Sequence, residues 1–149
     1  MLKSTLERLR LEELRHPDAR WLRAYADSKV AAGEALTSDD IVPHETRSVF
    51  THLMVLKPTD HPEELLYGVV GGAITARFGV DLTGKTLNLA SPGGWAPAMR
   101  DALREQRPVA LRGEVPGGRS SWARMEALIF PVVCSDGSGV GILAGLFFL

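Results

Sequence analysis

The histidines and the cysteine are the side chains best suited to metal binding or nucleophilic chemistry. His16, His44, His52 and His61 fall in four separate segments that lack the spacing of zinc ligands. Cys134 is the single cysteine, so we expect no intramolecular disulfide, and no basic group can be placed beside its thiol to lower the pKa. His52 stands in a predicted strand, where an ordinary structural role is favoured over that of a haem ligand. The sequence pairs no nucleophile with an acid or base, so we expect no enzyme.

Two glycine-containing stretches resemble nucleotide-binding loops but lack essential parts of them. A dinucleotide-binding loop needs three spaced glycines that open a long helix, whereas the helix after residues 68–72 is expected to stop at Gly79. Residues 84–86 read Gly-Lys-Thr, but the upstream glycine of a phosphate-binding loop is missing. The paired glycines at the end of 68–72 are instead interpreted as a sharp corner between a strand and a short helix. The sequence therefore assigns no cofactor.

Large apolar side chains are expected to meet where the helices pack on the sheet. A plain hydrophobic core is the default interpretation of this cluster. The alternative is a cavity for a small hydrophobic or planar ligand, because Met is pliable and Trp is large and amphipathic. Arg124 and Glu126 share one face of a strand and are expected to be solvated, since buried unpaired charges are costly. The candidate ligand-binding residues are Phe78, Trp95, Met99, Leu103, Met125 and Phe130.

Composition excludes several classes of partner. The 149 residues carry a net charge of −1, which gives no electrostatic footprint for nucleic acid or an anionic membrane. No apolar run approaches the roughly 20 residues of a membrane helix, and the charged N-terminus has no signal core. With 45% hydrophobic residues the chain is typical of a globular domain. We expect a soluble, cytoplasmic protein that binds neither nucleic acid nor membrane.

The elements that position these side chains begin with an N-terminal helical extension, residues 1–33. Ser4 followed by Glu7 matches a capping box and predicts a first helix that ends at His16-Pro17. A second helix is predicted from residue 18 to about residue 33. The first helix either covers the core or forms a dimerisation or signalling arm, because it carries the leucines at positions 6, 9, 11 and 14.

Residues 34–149 are predicted to form one α+β domain. Hydrophobic runs and turn signals predict strands at 50–57, 65–70, 109–115, 121–133 and 140–149, and a helix at 94–106. Two hairpins that flank helical crossover segments indicate a five-stranded antiparallel sheet with helices packed on one face. The first strand is expected to lie beside the last, at the centre of the sheet.

In these features the chain resembles a proteobacterial family of short, stand-alone PAS-domain proteins. The resemblance covers residues 18–149. It rests on Trp21 and Tyr25, on Tyr67-Gly-Val-Val-Gly-Gly, on the run from Phe78 to Leu87, and on the run from Glu126 to Gly137. Gly68 stands where the family usually has a basic residue.

The resemblance implies a PAS-like fold over 34–149 and a sensory or regulatory domain without catalytic residues. Such a domain binds a small molecule or a protein partner. Because the last predicted strand reaches Leu149, signalling is expected to occur in trans, with a homodimer formed through the N-terminal helix. The alternatives are a small-ligand or lipid carrier, or a small enzyme, that uses the same cavity between helix and sheet.

Overall fold

A computed structural model of the chain describes residues 5–30, 34–116 and 122–149. The strands are β1 (Glu7–Leu9), β2 (Leu53–Pro58), β3 (Glu64–Val70), β4 (Thr86–Asn88), β5 (Val109–Pro116), β6 (Trp122–Cys134) and β7 (Gly139–Phe148). The α-helices in the described ranges are α1 (Pro17–Lys29), α2 (Gly72–Phe78) and α3 (Ala96–Glu105). Short 3₁₀ turns lie at Leu11–Glu13, Ser38–Asp40 and Phe50–His52.

The strands form one antiparallel sheet in the order β1-β5-β6-β7-β2-β3-β4. The predicted pairing of the first long strand with the last is confirmed, since Leu53 lies opposite Gly145 and Leu56 lies opposite Ile142. The expected five-stranded PAS-like fold is nevertheless wrong. The sheet has seven strands, because β1 adds to one edge and β4 to the other, and the fold is richer in strand than in helix.

The predicted first helix is also wrong. Residues 7–9 form β1, in which Arg8 pairs with Leu111 of β5, and residues 11–13 form a 3₁₀ turn. The leucines of this segment are spaced by three, two and three residues, so they do not keep to one helical stripe. Leu6 packs into the core on one face of the sheet and Leu14 into the core on the other. The segment therefore wraps around the sheet edge and satisfies its backbone groups on β5.

Helices cover both faces of the sheet, and not one face as expected. The alternating side chains of β6 show the two layers: Met125 and Ile129 belong to the core under α2 and α3, whereas Leu128 and Phe130 belong to the core under α1. Because successive side chains of a strand point to opposite faces, one strand serves both cores.

Two predicted helices are present and have the expected local causes. Helix α1 begins at Pro17, a position that suits proline, and the ring Nδ1 of His16 accepts from the backbone N–H of Asp18. The Trp21 and Tyr25 rings stack on one face of α1, with centroids 5.1 Å apart. Helix α3 confirms the helix expected at 94–106.

Candidate functional site

A cavity of about 330 Å³ lies on the α3 face of the sheet and opens to solvent. It is bounded by the end of α2, the loop that leads to α3, the start of α3 and the end of β5. Its lining is almost entirely apolar, and no charged side chain contributes to it within the described residues. The lining residues are Tyr67, Phe78, Val80, Leu82, Leu87, Gly93, Gly94, Trp95, Ala96, Val115 and Pro116.

The outer wall of the cavity is a loop held against β3 by backbone hydrogen bonds. Helix α2 ends at Gly79, which adopts a positive φ of 74°, as expected for a left-handed helix cap. The loop then returns to the sheet, where the N–H of Tyr67 donates to the carbonyl of Lys85 at 2.9 Å and the N–H of Gly84 donates to the carbonyl of Tyr67 at 2.8 Å. Gly94, with φ 63°, turns the chain into α3. Backbone contacts thus place the apolar loop side chains over the sheet.

Three aromatic rings pack together at one side of the site, and two of them, Phe78 and Trp95, line the cavity. The Phe78 ring meets the Trp95 indole edge-on, with centroids 5.9 Å apart and planes at 69°. It meets the Phe148 ring in the same way, at 5.9 Å and 68°. Edge-to-face contacts of this kind add about 0.5–1.5 kcal/mol to the burial of each ring pair. They hold Phe78 and Trp95 in fixed orientations beside the open volume.

The polar contact in this wall joins Trp95 to Tyr67. The indole Nε1–H donates to the Tyr67 hydroxyl oxygen at 3.0 Å. Tyr67 is 5% exposed, and burial raises the pKa of its phenol above the ordinary value, although the bond from Trp95 acts in the opposite direction. The hydroxyl is therefore a neutral group at physiological pH.

The six residues proposed from the sequence occupy different places. Phe78 and Trp95 line the cavity. Met99 and Met125 are fully buried in the core beneath it, and Phe130 lies on the opposite face under α1. Leu103 borders a separate, more polar hollow with Arg100 and Arg104.

Four lining residues were not predicted from the sequence: the loop residues Leu82 and Leu87, and also Tyr67 and Val115. Tyr67 and the loop were part of the resembling segments, which was the only signal that pointed to them. These residues are separated from Trp95 along the chain, so local sequence patterns give no sign that they line the same cavity as Trp95. Only the pairing of β4 with β3, in which Leu65 lies opposite Leu87, brings this loop to the site.

The histidines and the cysteine lie away from the cavity. His52 Nδ1 is 3.0 Å from the carbonyl oxygen of Leu146, and its ring contacts Phe147 and Phe148. Cys134 borders a smaller apolar groove of about 230 Å³ on the opposite face of the sheet. Across the part of the chain that the structure describes, no group of three or more His, Cys, Asp or Glu side chains could hold a metal ion.

Glu126 is a charged residue whose side chain lies inside the core. It was expected to be solvated, as Arg124 is, but its side chain is fully buried. Its carboxylate accepts from the backbone N–H of His16 at 2.6 Å, from the backbone N–H of Arg15 at 2.9 Å and from the Arg112 guanidinium at 2.6 Å. Burial alone would raise the pKa of this carboxyl, but these hydrogen bonds outweigh it, so the pKa lies below its ordinary value.

Comparisons with known proteins give no assignment for this site. Neither the family models nor the curated protein sequences returned a match to the chain. In the described ranges, no helix is both long enough and apolar enough to cross a membrane. The function is therefore inferred from the geometry of the cavity.

Proposed function

We propose that this chain is a non-catalytic sensory or regulatory domain that binds a small hydrophobic or planar ligand at Trp95 and signals to a protein partner in trans. The observation that carries the proposal is the apolar cavity of about 330 Å³ between the loop, α3 and the sheet. Its volume lies at the lower end of the roughly 300–1,000 Å³ that is usual for small-molecule sites. The ion pairs that join α3 to Arg8 of β1 support the sensory role.

The chemistry of the lining supports binding over catalysis. Within the described residues, no carboxylate, imidazole, thiol or amine lines the cavity. Reactions that transfer protons or need a nucleophile use one of these groups or a hydroxyl beside the substrate. Among the described lining residues Tyr67 supplies the one hydroxyl, and no acid or base stands beside it in the lining to activate it. A ligand that buries about 200 Å² of apolar surface there gains on the order of 5 kcal/mol before the cost of immobilising it.

Helix α3 offers a route from the cavity to the surface. Its first residue, Ala96, lines the cavity, while Asp101 and Glu105 on its outer side face Arg8 of β1. The Arg8 guanidinium lies 3.1 Å from the Glu105 carboxylate and 3.6 Å from that of Asp101. A ligand that displaces α3 therefore acts on β1, the edge strand that a partner can reach.

A small-ligand carrier is the second candidate function. The open mouth of the cavity favours it, because a carrier must release its cargo to solvent. The two functions differ in their effect on the N-terminal segment. A sensor changes the hydrogen exchange of β1 when it binds ligand, whereas a carrier leaves β1 unchanged.

The test uses the full chain purified from cells and analysed by native mass spectrometry. We expect a retained small molecule in the wild type and its loss in Leu82→Trp, which fills the cavity from the half-buried loop. Val140→Trp is the matched control, since Val140 is 38% exposed and lies away from the cavity. Retention of the same molecule by Leu82→Trp would show that the ligand does not occupy this cavity.

A further inference from the structure

The hydrogen bond between Trp95 and Tyr67 determines where the Tyr67 hydroxyl proton can point. The indole N–H is a donor only, so the Tyr67 oxygen must be the acceptor in this 3.0 Å contact. The hydroxyl proton then has to find another acceptor. Trp95 thus orients the phenol as a free donor.

No described residue accepts that proton. Tyr67 makes one side-chain hydrogen bond within the described ranges, and it is the bond that it accepts from Trp95. The residue is 5% exposed and lines the cavity. Because the cavity opens to solvent, water can accept this proton in the free protein. A ligand that displaces this water must bring its own acceptor, since a buried donor left without a partner costs about 1–3 kcal/mol.

We propose that the Tyr67 hydroxyl donates a hydrogen bond to a neutral acceptor oxygen, such as a ketone or amide carbonyl, on the bound ligand. This inference rests on the proposed function and names the chemical class of its ligand. The apolar body of the ligand packs against the Phe78 ring and the loop leucines, and its acceptor oxygen faces Tyr67.

The lining disfavours an anionic ligand. No arginine or lysine lines the cavity among the described residues. Arg77, on the neighbouring helix α2, donates from Nη2 to the carbonyl of Trp122 at 2.6 Å and is engaged there. A carboxylate would lose its hydration without gaining a cation, which is costly. A single phenol donor suits a neutral carbonyl.

Three naphthalene probes of nearly equal shape test this selectivity: 2-acetylnaphthalene, 2-isopropylnaphthalene and 2-naphthoate. The informative quantity is the ratio of ketone to hydrocarbon affinity within each protein, because the ketone loses more hydration than the hydrocarbon whichever protein binds it. The anion should bind more weakly than either. Isothermal titration of the full chain measures all three affinities.

Tyr67→Phe keeps the ring and removes the donor. We expect this ratio to fall about 3- to 10-fold in the Tyr67→Phe/Trp95→Phe double variant, as the loss of one net hydrogen bond provides. The second change is needed because the indole N–H of Trp95 loses its acceptor in Tyr67→Phe alone and is then free to donate to the ketone. The infrared carbonyl band of the bound ketone should also lie at lower wavenumber in the wild type than in hexane.

The outcomes separate the two proposals. If the ratio of ketone to hydrocarbon affinity is the same in the wild type and the double variant, or if the carbonyl band is unshifted, the role of Tyr67 is overturned while the cavity stands. If no probe binds the wild type, or if Leu82→Trp binds all of them as well as the wild type does, the proposed function and this inference are both overturned. The infrared measurement decides the case in which the double variant does not fold.

Discussion

Arg112 and Glu126 lie directly opposite each other on β5 and β6, and they form an ion pair with 2.6 Å between Nη2 and Oε2, in which Glu126 is fully buried and Arg112 is 20% exposed. The same guanidinium donates to the carbonyl of Glu13, and the same carboxylate accepts from the backbone of Arg15 and His16. One cross-strand pair therefore holds the segment between β1 and α1 on the sheet.

Replacing this carboxylate should destabilise the whole domain. In Glu126→Gln the Arg112 charge loses its buried partner, and two backbone N–H groups lose a charged acceptor. We expect the free energy of unfolding to fall by about 3 kcal/mol, as for other broken buried pairs. Urea denaturation measures it. Glu114→Gln, an exposed change on the neighbouring strand β5, should shift it by less than about 0.5 kcal/mol. Equal effects of the two variants would contradict the prediction.

The stabilisation from Glu126 should depend on pH with a defined sign. Because the pKa of Glu126 is lower in the folded protein than its ordinary value of 4.5, its contribution is present above about pH 4.5. It is lost as the pH falls through the folded-state pKa. The difference in stability between wild type and Glu126→Gln should therefore shrink from pH 7 towards pH 3. Thermal unfolding followed by circular dichroism across this range measures it, and a constant difference would exclude the linkage.

Deletion of residues 1–16 should unfold or strongly weaken the monomer. The deletion removes β1 from the edge of β5, removes the buried side chain of Leu14, and leaves Glu126 without the N–H groups of Arg15 and His16. Loss of Leu14 alone is worth about 2–4 kcal/mol, which Leu14→Ala tests separately. Calorimetry of the truncated chain measures the effect. An unchanged melting temperature would show that the segment acts only between copies of the chain.

Met99→Trp and Leu82→Trp should have opposite effects on stability and on probe binding. Met99 is fully buried and lies off the cavity, so a larger side chain overpacks solid core and costs about 1–3 kcal/mol or more. Leu82 lies in the half-buried loop, so Trp there should block probe binding with little loss of stability. Denaturation and 2-acetylnaphthalene titration of both variants provide the comparison. A stable Met99→Trp that no longer binds the probe would place the ligand deeper, between α3 and the sheet.

Local signals were sufficient for the features that short stretches of sequence specify. Pro17 suits the first turn of α1, and the Asp136-Gly137 turn before β7 has Gly137 at a positive φ of 84°. The helix at 94–106 follows from its apolar spacing. Each of these depends on residues within one or two turns of each other, so the sequence alone determined them.

Contacts between distant residues decided the rest. The segment predicted as the first helix forms β1 instead, because β5 offers an open edge to residues 7–9. Arg8 of this strand also bonds to Glu105, 97 residues away. Glu126 can be buried because its carboxylate accepts a hydrogen bond from the backbone N–H of Arg15, 111 residues away along the chain. The cavity exists only where a loop paired to β3 reaches Trp95. Hydrophobic pattern and capping preferences describe neighbours along the chain, whereas burial and sheet-edge pairing belong to the folded molecule as a whole.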